Sequence, residues 1–130
     1  MTGHIDRVRQ GYAALDRGDI AGATQDWADD FTREGPSSAG LPMGGEHAGR
    51  AAALAALQRA AGARDEFRFW PEEFFEDGET VVVLGHSDVR KGGVSATTPV
   101  VYIWRWQAGR ITRFHFVTDA LQLARLPGLA

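Results

Sequence analysis

The chain has 130 residues, 44% of them hydrophobic and 24% charged, and a formal net charge of -3. That is the length of one domain with ordinary globular usage, which excludes a disordered or fibrous chain. There is no cysteine and the basic residues are scattered, which excludes disulfides, thiol nucleophiles and thiolate metal sites and leaves no electrostatic footprint for nucleic acid.

The stretch from Met1 to Gly11 is charged throughout and lacks the apolar run of a signal peptide. No later segment approaches the roughly 18 apolar residues of a membrane span, so no membrane partner and a cytoplasmic location are expected. Ile5, Val8, Tyr12 and Leu15 recur at helical spacing up to Gly18, predicting a first amphipathic helix. Asp19 caps a second helix running through Ile20, Ala23 and Trp27. Asp29 to Gly35 then reads as a short extended piece, and residues 35–45, rich in Gly, Ser and Pro, as a mobile loop. A third helix is expected from about Glu46 to Ala61, ended by Gly62.

Beyond it the period changes from helical to strand. Phe67 and Phe69 alternate with Arg68 and Trp70, and Pro71 marks an edge or a bulge before the turn Glu76-Asp77-Gly78. Thr80 to Val89, Thr97 to Trp106 and Ile111 to Val117 are three further strands, with glycine-bearing turns at Gly92, Gly93 and Gly109. Four strands on short turns make an antiparallel meander, and Thr118 or Asp119 caps a last helical turn ended by Pro127 and Gly128. The predicted fold is α+β over residues 1–130: a cone-shaped, curved antiparallel sheet with three N-terminal helices packed on its concave face. Such a cone is filled only partly by side chains and leaves an apolar pocket for a small molecule.

The segments Tyr12-Ala13-Ala14-Leu15-Asp16-Arg17-Gly18-Asp19-Ile20 and Trp27-Ala28-Asp29-Asp30-Phe31 resemble the opening of nuclear-transport-factor-two-like domains, which include ketosteroid isomerase and the SnoaL-like polyketide cyclases. Trp104 to Arg113 is similar to the aromatic strand, turn and return strand near the family's end, and Asp119 matches an acidic residue common after it. The resemblance covers nearly the whole chain and implies one SnoaL-like domain with the cystatin-like α+β barrel. Its functional weight is small, because this fold hosts isomerases, cyclases, hydrolases and proteins that catalyse nothing.

Carried over residue by residue, the resemblance implies that the usual acids are missing. The proton-shuttling carboxylate of ketosteroid isomerase falls at Gly35, its oxyanion-hole groups fall near Gly11 and Tyr102, and the catalytic aspartate of the cyclases falls at Phe116. The basic and acidic residues that epoxide-hydrolase-like relatives place two apart correspond to His86 and Asp88. Period-two alternation puts that pair on one face, and the family makes it the inward face. The chemical expectation is therefore His86 as general base, Asp88 as its orienter and Tyr102 as hydrogen-bond donor. Against it stands the bland reading of His86 and Asp88 as strand-end residues bonded to Arg90 or water.

Trp27, Phe31, Glu34, Phe67, Trp104, Phe114 and Phe116 are the expected ligand-binding residues, with ordinary core filling as the alternative for most of the rings. His115 alternates with Phe114 and Phe116 and should face outward. His47, Glu46 and Glu34 lack a helical ligand spacing, so neither metal nor cofactor is expected. Trp70, if outward, leaves an apolar patch that invites a homodimer through the outer face of the sheet. Three readings stay open: a cofactor-independent isomerase, cyclase or hydrolase acting on a small apolar molecule; a non-catalytic apolar-ligand-binding or dimerisation module; and a structural or partner-binding domain with a filled pocket.

Overall fold

The structure is a computed structural model, and it describes residues 3–36, 41 and 44–128. Helix α1 (His4–Asp16) is followed by the short α2 (Ile20–Thr24), whose start is fixed by the Asp19 carboxylate accepting the amide of Gly22 at 2.9 Å. Strand β1 (Trp27–Gly35) comes next, then β2 (Gly45–Ala48), α3 (Arg50–Gly62), β3 (Glu66–Asp77), β4 (Thr80–Lys91), β5 (Val94–Gln107), β6 (Arg110–Thr118) and α4 (Ala120–Ala124). Asp119 caps α4 as expected, its carboxylate accepting the Gln122 amide.

All six strands form one sheet in the order β2-β1-β6-β5-β4-β3. The meander β3–β4–β5–β6 is antiparallel, as predicted, but β1 lies parallel to β6, with Thr32 beside Arg113 and Glu34 beside His115. The sheet is thus mixed. Three N-terminal helices in succession are not found either: α2 ends at Thr24, Trp27 already belongs to β1, and the β1–β2 hairpin separates α2 from α3. Glu46 and His47, expected to open the third helix, pair in β2 with Glu34 and Arg33. Of the predicted loop over residues 35–45, Gly35 and Gly45 are paired with each other and Leu41 is buried; 37–40 and 42–43 lie outside the described residues.

Curvature has a local cause. Between Pro71 and Glu73 the β3–β4 register shifts by one residue, so β3 bulges at Glu72 and bends across β4. Gly85 stands beneath the bend, where an added Cβ would lie 2.1 Å from the carbonyl oxygen of Trp70. Only glycine fits so close an approach.

The core occupies the inner face of the sheet. Val81, Val83 and Val89 of β4, Val100 and Trp106 of β5, and Ile111, Phe114 and Phe116 of β6 are all buried there. Helix α1 packs across β3 and β4, and α3 packs against β1 and β2.

Candidate functional site

Beneath the helices the inner face encloses a cavity of about 600 Å³. That is the size of a small-molecule site. Its wall is largely apolar, with Phe67 and Phe69 from β3, Trp104 from β5, and Phe114 and Phe116 from β6 among the lining side chains. The rings pack at angles: Tyr102 meets Phe114 at 5.2 Å and Phe69 at 4.7 Å between centroids, and Trp104 meets Phe114 at 4.3 Å.

Polar groups enter this wall at few points. Arg33, on the inner face of β1 and 7% exposed, lines the cavity with its guanidinium 5.0 Å from the centroid of Phe116 and 5.8 Å from that of Phe114. Arg64, just beyond α3, lines it with its guanidinium 4.0 Å from the centroid of Phe67. Stacking over the negative face of a ring partly offsets the desolvation of each cation. Burial still lowers the pKa of Arg33, the Tyr102 phenol opposes that and the charges of Arg64 and Arg59 add to it, leaving it at about 10. Arg64 is lowered too, chiefly by burial. Both remain cations at neutral pH and repel each other across one cavity.

Two phenols face the same space. Burial pushes Tyr102 up to about 12, against the opposing pull of Arg64 and Arg33, so the phenol stays protonated beside two cations. Tyr12, on α1, is raised well above the usual phenol value by burial, less so because Trp104 hydrogen-bonds to it. The indole Nε1–H of Trp104 donates to the Tyr12 hydroxyl at 2.9 Å. An indole can only donate, so the Tyr12 oxygen is the acceptor and its own proton is turned elsewhere. Arg33, Arg64, Tyr12 and Tyr102 therefore make an apolar cavity rich in donors.

Of the residues expected at the site, Tyr102, Trp27, Phe67, Trp104, Phe114 and Phe116 line the cavity. Phe31 does not. It is wholly buried against Trp27, at 4.1 Å between ring centroids, and belongs to the core.

His86 and Asp88 stand on the outer face of β4, and their expected inward orientation is overturned. Their neighbours Ser87 and Val89 point inward instead, since a shift of one residue exchanges the faces of a strand. Nδ1 of His86 contacts the carboxylate of Glu72 in the β3 bulge, and Asp88 accepts from Thr97 at 3.0 Å and from Arg90 at 3.4 Å. Glu34 is displaced in the same way. It lies on the outer face of β1, accepting from Arg113 at 2.9 Å and standing 3.4 Å from Nε2 of His115, while Arg33 beside it points in.

Among the described residues no group of three His, Asp or Glu side chains could hold a metal ion. No helix among them is long and apolar enough to cross a membrane. Arg33, Arg64 and Tyr12 are the site residues that the sequence reading missed. For Arg33 the signal was present: with Phe31 inward, period two puts Arg33 on the same face and Glu34 on the other.

A family model described as SnoaL-like domain matches residues 8–114. This chain belongs to the SnoaL-like domain family. The membership agrees with known structures. An NTF2-like protein of unknown function from Burkholderia pseudomallei K96243 is 32% identical over 97% of this chain and 98% of its own, with a TM-score of 0.89. TerC, co-crystallised with polyporic acid, is 28% identical over 90% of this chain and 92% of its own, with a TM-score of 0.82. A protein of unknown function with a cystatin-like fold from Xanthomonas campestris, 19% identical over 93% of this chain and 95% of its own, has a TM-score of 0.83 and speaks for the fold alone. No curated protein matches this SnoaL-like chain.

Proposed function

We propose that the cavity binds a small aromatic or polycyclic acid, its ring system against the Phe67, Phe69 and Phe116 walls and its anionic oxygen between Arg33 and Arg64. The observation that carries this reading is the pair of guanidinium groups in one apolar cavity with a protonated phenol. Two cations held together at the cost of desolvation and mutual repulsion gain from an anion that screens both. Tyr102 and Tyr12 complete the anion's shell as neutral donors. TerC, co-crystallised with polyporic acid, is a similar protein whose co-crystallised compound is an organic acid by name.

Binding is favoured over proton-transfer chemistry by the placement of the titratable groups. The carboxylates among the lining residues are Asp16, which is exposed, and Asp26, which is held by Arg7 at 3.3 Å. The His86 and Asp88 pair lies across the sheet from the cavity. An acid–base mechanism run from those two residues is therefore not retained.

Calorimetric titration with naphthalene-2-carboxylate and its neutral carboxamide tests the charge reading directly. The carboxylate is expected to bind at least about tenfold more tightly, since hydrogen bonds to charged groups contribute about 1.5–3 kcal/mol. In the Arg33→Met/Arg64→Met double variant that preference should vanish. An amide that binds the wild-type protein as tightly as the carboxylate sinks the proposal.

A further inference from the structure

A second polar feature of the inner face, outside the donor cluster, is a lane of three hydroxyls crossing β4, β5 and β6. Thr118 Oγ1 donates to the carbonyl oxygen of Pro99 at 3.0 Å, Thr98 Oγ1 lies 2.8 Å from Thr118 Oγ1, and Ser87 Oγ lies 3.4 Å from Thr98 Oγ1. Thr98 is wholly buried, whereas Ser87 and Thr118 line the cavity.

A hydroxyl has one proton to give, so the direction of the lane follows from its far end. Thr118 has given its proton to the Pro99 carbonyl and can only accept from Thr98. Thr98 has then given its proton to Thr118 and can only accept from Ser87. Ser87 is left with its proton turned along the lane and both lone pairs free to accept from the cavity it lines. A ligand group that needs a proton at this point must pull Ser87 out of the lane, whereas a group that offers one extends it, each bond polarising the next.

We infer that Ser87 is a specificity-determining residue that accepts a hydrogen bond from a hydroxyl on the ligand, so that the preferred occupant is a hydroxylated aromatic acid. The inference rests on the anion reading above and adds a second polar group to the ligand. Ser87 pairs with Thr98, four residues along β5 from Tyr102, about 13 Å at the rise of a strand. The Tyr102 donor and the Ser87 acceptor therefore meet a rigid ring system at separate points along the strand.

The test compares 2-naphthoate, 6-hydroxy-2-naphthoate and 6-methoxy-2-naphthoate by calorimetry on the wild-type protein, Ser87→Ala and Thr98→Val. The wild type should favour the hydroxy over the methoxy compound by about tenfold, the effect of one net hydrogen bond. Ser87→Ala should erase that preference. Thr98→Val takes away the acceptor that holds the Ser87 proton and should shrink the preference by favouring the methoxy oxygen. If 2-naphthoate binds but the wild type does not discriminate, or the preference survives Ser87→Ala, this inference is overturned and the anion reading stands. If no naphthoate binds, both are overturned.

Discussion

The two faces of β4 put their polar side chains to opposite uses. On the outer face His86 meets Glu72, both about half exposed, and Asp88, its side chain 13% exposed, meets Thr97 and the exposed Arg90, contacts worth little to stability. On the inner face Ser87 is 3% exposed and joins a lane of hydroxyls that ends on a carbonyl. β1 repeats the contrast with charges: Glu34 outside is satisfied by Arg113 and His115, and Arg33 inside is desolvated against rings. The residues that look most reactive in the sequence, His86, Asp88 and Glu34, meet partners on the outer face, while the less conspicuous Ser87 and Arg33 line the cavity.

That contrast can be broken first through the core. Phe31→Ala on the inner face of β1 should lower unfolding free energy by about 3–5 kcal/mol, the usual cost of removing a buried ring, while Trp70→Ala, 40% exposed on the outer face of β3, should cost under about 1 kcal/mol. Denaturant unfolding of the two variants checks it, and similar losses would remove the distinction.

A sharper test uses the phenols, because the two tyrosines of the chain are Tyr12 and Tyr102 and both face the cavity. Ultraviolet difference titration of the folded protein should show almost no phenolate near pH 10, where the denatured chain is half ionised, and Tyr102 should follow only near 12. A raised phenol pKa favours the protonated folded state. The phenols' contribution to stability is therefore complete below about pH 10 and declines as pH rises toward about 12, with Arg33 working against that decline in the same window. Phenols that titrate normally in the folded protein would place the tyrosines in water.

The smallest effect belongs to the outer pair. His86→Ala together with Asp88→Asn should leave 2-naphthoate affinity within about twofold and stability within about 0.5 kcal/mol. A tenfold loss of affinity would return the pair to the site.

Much of the fold was legible because its signals are local. The helical period of α1, the Asp19 and Asp119 caps, the Pro71 bulge and the two-residue turn at Gly92 and Gly93 each needed only a few neighbouring residues. The parallel β1–β6 pairing was not legible, since it joins residues from opposite ends of the chain. Nor was β2, four residues long and matching an edge strand only through its partner β1. The aromatic wall was anticipated from alternation in β5 and β6, but the phase of β4 was taken from family analogy, which put His86 inside. Counting back through the Gly92–Gly93 turn puts Tyr102 opposite Val83 and Pro99 opposite His86, so an inward Tyr102 already implies an outward His86. Arg64 was beyond reach: it sits between elements, and no periodicity tells where a side chain in a connection points.

The parallel β1–β6 ladder also orders events during synthesis. β1 leaves the ribosome early and α3, which packs against it, follows soon after, yet β6, the strand paired parallel to it, comes only after β3, β4 and β5, so one edge of β1 stays unpaired in the meantime. Pairings this distant in sequence close late and slowly. An unpaired strand edge in the interval is where misassociation starts. The wall that holds Arg33 is thus completed only when the carboxyl-terminal part of the chain arrives, and a chain cut before β6 would lose the cavity with it.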